Sequence, residues 1–158
     1  MIDTIKSTFL LKEVSAILKR LEPVTKGKFG LMTPQHMVEH LIMTVKSTAK
    51  KYDIEPENPP NKRQEGFKRF ISKGCHFEHR PNDKTVADLP PLKYDSLEEA
   101  IAVIPEATQR FYNLWKQDPD FVPYIPFMGA LTFEELELFH FNHFRFHLNQ
   151  FGLMEETS

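Results

Sequence analysis

Two histidines four residues apart, His143 and His147, lie in the C-terminal run TFEELELFHFNHFRFHLNQFG. In a helix that spacing stacks two imidazoles one turn apart on a single face, with Cβ atoms ~5–6 Å apart. Such a pair can grip one metal ion. A third imidazole from another element would complete a site with an open coordination position, and an open position is where metal chemistry happens. His140 shares the face but lies about two turns from His147, too far for both to hold the same ion. His40 is the candidate third ligand.

The element carrying the pair opens at Thr132-Phe-Glu-Glu135, a capping box, and stops at Gly152, a good C-terminal cap. With His143 as reference and ~100° per residue, Leu136, Phe139, His140, Phe146, His147 and Gln150 fall on one stripe. The opposite side carries Leu138, Phe141, Phe144 and Leu148. A helix apolar nearly all round is buried on both sides, which predicts either further packing or a homodimer.

Three more helices are predicted. One covers roughly residues 5–21. A second opens at Thr33-Pro34, a capping residue followed by a proline suited to the first helical position, and runs to about Lys51. A third opens at the capping box Ser96-Leu-Glu-Glu99 and runs to about Lys116, with Pro105 expected to kink or split it. The stretch DIEPENPPNKRQEG reads as a charged, proline-broken connection. Residues 67–94 read as a long irregular excursion, with RFISKGCHF as a candidate extended piece. The fold class is therefore all-α: a four-helix bundle in a single domain, residues 1–158, with a long irregular crossover between helices two and three.

On the second helix, His40 is followed by Thr44 and Ser47, small hydroxyl residues that leave room beside an imidazole. These two, with His36, His140 and Gln150, are the candidate pocket residues. A lone histidine on an apolar helix face is usually a hydrogen-bonded core residue. Several together without partners would cost ~1–3 kcal/mol each, and a shared cation satisfies them at once. His36-Met-Val-Glu39-His40 also matches the H-x-x-E-H pattern of inverted zinc proteases. That reading needs a larger α/β scaffold and leaves His143 and His147 idle. Cys75-His76-x-x-His79 is a further ligand cluster, without the second C-x-x-C of a structural zinc site.

Composition sets outer bounds. The chain has 158 residues, a formal net charge of −2, and 41% hydrophobic residues. Nothing global draws it to nucleic acid or anionic membrane. A lone cysteine excludes an internal disulfide and fits a cytoplasmic home. The N-terminal run is broken by Lys6, Lys12 and Glu13, so neither a signal peptide nor a membrane span is expected.

Three segments carry a resemblance: Met32-Thr-Pro-Gln-His-Met-Val-Glu-His40-Leu, Phe127-Met-Gly-Ala-Leu-Thr-Phe-Glu-Glu-Leu, and His143-Phe-Arg-Phe-His147-Leu-Asn-Gln-Phe-Gly. Together they resemble the DinB-like (YfiT-like) metalloenzyme superfamily, in a bacterial branch ending in a histidine-rich helix. The resemblance implies a four-helix bundle holding a divalent metal, nickel or zinc, on His40, His143 and His147. It departs from the family at Phe146, where the branch carries the first histidine of an adjacent pair. It implies a small-molecule substrate, with a low-molecular-weight thiol as one candidate, and activation of water or a thiol in a hydrolase or thiol-dependent S-transferase. The competing reading is a non-catalytic, metal-binding or dimerising stress-related bundle. The loop from Asp120 to Met128 is read either as a lid over the pocket or as a hydrophobic plug on the end of the bundle.

Overall fold

The computed structural model describes residues 1–81 and 83–155. The chain is mostly helical, with one two-stranded hairpin. Helices α1 (Thr4–Thr8) and α2 (Val14–Leu18) flank a π-helical turn, Phe9–Glu13, and form one N-terminal rod. Then come α3 (Pro34–Thr48), α4 (Lys62–Ser72), a short 3-10 turn (Val86–Asp88) and α5 (Leu97–Gln117). Strands β1 (Tyr124–Ile125) and β2 (Gly129–Ala130) pair antiparallel, and α6 (Phe133–Gln150) closes the order.

The caps read from the sequence are made. The Thr33 side chain accepts from His36 N–H, Ser96 from Glu99 N–H, and Thr132 from Glu135 N–H, each satisfying an otherwise orphaned donor at a helix start. Gly152 adopts φ 72°, the left-handed conformation that ends α6. Helix α5 runs unbroken through Pro105. Ile101, Ile104, Ala107 and Phe111 are all buried along it. That packing offsets the ~3 kcal/mol a proline costs inside a helix.

Helix α4 lies where the sequence reading expected a solvent-facing connection followed by an extended piece. It starts at a capping box, with Asn61 accepting from Gln64 N–H while the Gln64 side chain accepts from Asn61 N–H. Its charged residues face water, while Ile71 is buried and Phe67 and Phe70 pack on the core. Gln64 itself is buried and donates to Tyr124 Oη (2.8 Å) and the Pro126 carbonyl (2.9 Å). It thereby bolts the hairpin onto α4. Ile125 and Met128 are fully buried, and Phe127 meets Phe67 edge-on. The 120–128 loop is a plug, and it lines neither of the two clefts described below.

The second apolar side of α6 packs on the N-terminal rod: Phe141 meets Phe9 edge-on at 5.1 Å, and Phe144 and Leu148 are buried. That packing is the first of the two alternatives the sequence offered for this side of the helix. The same side holds a carboxylate missed in the sequence. Glu137, buried on α6, accepts from Tyr112 Oη (2.6 Å) on α5 and from the Asp3 N–H (3.2 Å), tying three segments together. Burial raises the pKa of both Glu137 and Tyr112.

Among the described residues no helix is long and apolar enough to cross a membrane. Replacing Gln64 with Leu should cost ~1–2 kcal/mol in urea unfolding, because the half-buried Tyr124 hydroxyl and the Pro126 carbonyl lose their donor and the Asn61 N–H loses its acceptor. Replacing exposed Lys62 with Ala should change stability by less than ~0.5 kcal/mol.

Candidate metal centre

Helices α3 and α6 pack against each other and bring three imidazoles to one point. His143 Nε2 lies 3.0 Å from His40 Nε2 and 3.1 Å from His147 Nε2. The three candidate ligand atoms all fall within 4.8 Å of one another. Nitrogens that share one ion are spaced ~3.3 Å apart in a tetrahedral array with ~2.0–2.1 Å bonds, or ~3.0 Å apart at right-angled positions. The two contacts at His143 match that range, and the His40–His147 pair lies within 4.8 Å.

The tautomers sharpen the case. The Gln150 side-chain nitrogen donates to the Phe29 carbonyl at 2.8 Å, which fixes the orientation of the amide. Its Oε1 lies 2.7 Å from His147 Nδ1 and can only accept, so His147 carries its proton on Nδ1 and aims an Nε2 lone pair into the cluster. His143 Nε2, facing two neighbours, offers one lone pair or one proton along one direction. It can make one good hydrogen bond, not two. A cation between the three rings would meet a lone pair from each of them. The donor set therefore fits a divalent ion of borderline softness, as nitrogen-only sites do.

The surroundings are apolar. His143 stacks on Phe77 (centroids 5.1 Å, 26° between planes) and lies against Phe139, and its Nδ1 is buried with no hydrogen-bond partner. Burial depresses the pKa of all three rings. His147 falls to about 4, by burial first and the charge of His40 second. His143 falls well below its ordinary value by burial, then by its histidine neighbours, and His40 falls through burial. Neutral imidazoles are the form a metal requires.

Gln150, expected in the pocket, is thus the residue that orients His147. Its own support was not legible in the sequence. It rests on the Phe29 carbonyl, and Gly30 lies so near that a Cβ there would stand 2.9 Å from the Gln150 side-chain nitrogen, at a φ of 81° that disfavours any side chain. Glycine at position 30 leaves room for the amide that holds the ligand. A glycine shortly before the Thr33 cap was the only available signal.

His40 borders two clefts. One, of about 570 Å³, is also lined by His147, Gln150, Phe29, His79 and Arg80. The other, of about 550 Å³, runs along α3 past His36 and Ser47. Protein therefore does not seal the cluster. His36 sits at the start of α3 with Nδ1 2.7 Å from Thr33 Oγ1, and Ser47 donates to the Thr44 carbonyl. Two of the candidate pocket residues lie elsewhere. Thr44 lines neither cleft, and its hydroxyl donates to the His40 carbonyl one turn back. His140 is a core residue: Thr48 Oγ1 donates to the Val45 carbonyl and accepts from His140 Nε2 at 2.7 Å. Burial takes its pKa to about 3.

The rival motifs dissolve into structure. Glu39, the base of the protease reading, accepts from the Lys93 and Tyr94 N–H groups (2.6 and 3.3 Å) and from Gln35 (2.9 Å). Glu135 is committed to its cap and to Lys68 at 2.8 Å. Cys75 is buried and its thiol is pushed up to about 12, mainly by burial, while His79 lies tilted against the Phe29 ring.

The chain matches no family model, and neither curated proteins nor solved structures match it.

The depressed histidines set a pH dependence. Their folded pKa values lie below the unfolded value near 6.5, so the unfolded chain binds protons first. Stability is whole above pH ~6.5 and is lost as pH falls. His140 and His147 alone should remove ~3 kcal/mol per pH unit between about pH 6 and 4. Urea unfolding of chelator-treated protein at pH 7.5, 5.5 and 4.5 measures it; a flat midpoint would mean that these rings are not buried neutral.

Proposed function

We propose that the protein is a metal-dependent enzyme in which His40, His143 and His147 hold one divalent ion, nickel or zinc. The convergence of three Nε2 atoms on one point, open to a cleft, carries this reading. An ion held by three neutral imidazoles keeps its full charge, acts as a Lewis acid and lowers the pKa of a water or thiol beside it. The chain's own residues do the rest. Gln150 fixes the His147 ring, Phe77 and Phe139 hold the His143 ring and keep water from its back, and the clefts beside His40 admit a small molecule. The reaction class is hydrolysis or thiol-dependent group transfer.

The same reading takes the helices as a four-helix bundle of the N-terminal rod, α3, α5 and α6, with α4 inside the crossover, and the chain as a member of the DinB-like superfamily. The order of the three resembling segments and the roles of His40, His143 and His147 support it. A non-catalytic metal-binding protein is the second reading. It is favoured by one observation: Glu39, the carboxylate lining the cleft along α3, is already engaged by the Lys93 and Tyr94 N–H groups and by Gln35.

Metal-stripped protein should take up one nickel or zinc ion per chain in calorimetric titration. The double substitution His143→Ala/His147→Ala should abolish uptake. Gln150→Leu should weaken it ~10–100-fold while leaving the stoichiometry at one, as loss of a ligand's orienting partner does. Unchanged metal content in the double variant would remove the proposal. Turnover in amide, ester and thiol-transfer panels separates the enzyme from the binding protein.

A further inference from the structure

The cleft along α3 has a built second wall that the metal reading does not use. Residues 90–94 lie across α3 and are fastened to it at both edges of the peptide chain. Glu39 accepts from the Lys93 and Tyr94 N–H groups, and Gln35 donates to the Tyr94 carbonyl at 2.7 Å. The strap and the helix enclose about 550 Å³.

The lining is divided. Met43 and Leu92, 59% and 45% exposed, face the space with Ile42 and Pro91. Large apolar side chains left in water on both walls of one groove mark a surface that a hydrocarbon body can cover. Around them stand Lys46, Lys50, Lys93 and Arg110. The sole carboxylate in the lining is Glu39, already committed to the strap. Arg110 has only an exposed partner, Glu106 at 3.4 Å, a kind of pair worth little in water. Lys50 lies over the Tyr52 ring at 5.0 Å, which leaves its charge unneutralised. The cleft therefore carries an uncompensated positive charge although the whole chain is slightly negative. Along the α3 axis, His40 and Lys46 are ~9 Å apart.

We propose that this cleft binds a small amphipathic organic anion. Its carboxylate or phosphate head sits among Lys46, Lys50 and Arg110, its hydrocarbon body lies along Met43 and Leu92, and its far end reaches His40. Only the last placement rests on the metal-centre reading. The anion would be a substrate whose reacting end is delivered to the ion and whose charge is read at a distance.

Titration of the intact protein with octanoate, octyl phosphate and octanol tests it. At least one of the two anions should bind one per chain, at least tenfold tighter than octanol, and lose affinity as salt rises. The anion that binds tighter identifies the head group. Lys46→Ala/Lys50→Ala should weaken binding about tenfold, and Met43→Glu should abolish it, both with unchanged thermal melting. The same titration on chelator-treated protein should still show binding, so failure of the metal centre and failure of the cleft are read separately. Octanol binding as tightly as both anions, no binding of either anion, or an unchanged affinity in the folded double-lysine variant would overturn the proposal.

Discussion

Three ring nitrogens that converge beside an open cleft cannot all be satisfied by one another. Each offers a single directed lone pair or proton, and His143 Nε2 has two imidazole neighbours within 3.1 Å. One divalent ion at the crossing would satisfy all three at once, and the rings stand close enough together to hold it. Much of the surrounding architecture serves to hold that crossing in place. The Thr33 and Thr132 caps set where α3 and α6 begin, and therefore which turn of each reaches the meeting point. The Phe77 and Phe139 rings on either side of His143 deny it alternative partners. The 27–30 loop reaches the site through Gln150, so a glycine and a carbonyl far along the chain set the tautomer of a ligand.

A division of labour among buried polar groups follows. His140 shares the stripe with His143 and has the same residue type, yet Thr48 takes its proton and makes it a core residue. Glu137 and Tyr112 satisfy one another on the other side of α6. Such pairs tie elements together, although His140 keeps a buried Nδ1 without a partner. The cluster at His40 is different because its unmet demand points inward to a common centre.

Much of the helical layout was legible. The caps at Thr33-Pro34, Ser96–Glu99 and Thr132–Glu135 are local chemistry, and they mark the starts of α3, α5 and α6. The i, i+4 pair on α6 and His40 on α3 were legible for the same reason: a helix turns spacing into direction. Helix α4 was hidden. Its composition is charged, Gly66 interrupts it, and its three apolar anchors acquire meaning only once the hairpin and α6 supply a surface. The Asn61–Gln64 box was nonetheless present in the sequence. The strap over α3 was illegible for a deeper reason. Its fastening joins Glu39 to backbone groups more than fifty residues away, and no local pattern encodes such a contact. Thr44 and His140 illustrate the converse limit. Both lie near the right residues in sequence, and the hydrogen bonds that take them out of the pocket depend on a carbonyl one turn back and on a partner helix.

On the proposed reading, imidazoles from two helices share one ion. X-ray absorption at the metal edge of nickel- or zinc-loaded protein measures the ligand set directly. Three imidazole ligands per ion, falling to two in His40→Ala, is the predicted result. A first shell with fewer than three imidazoles in the wild-type protein, or one that His40→Ala leaves untouched, would contradict it.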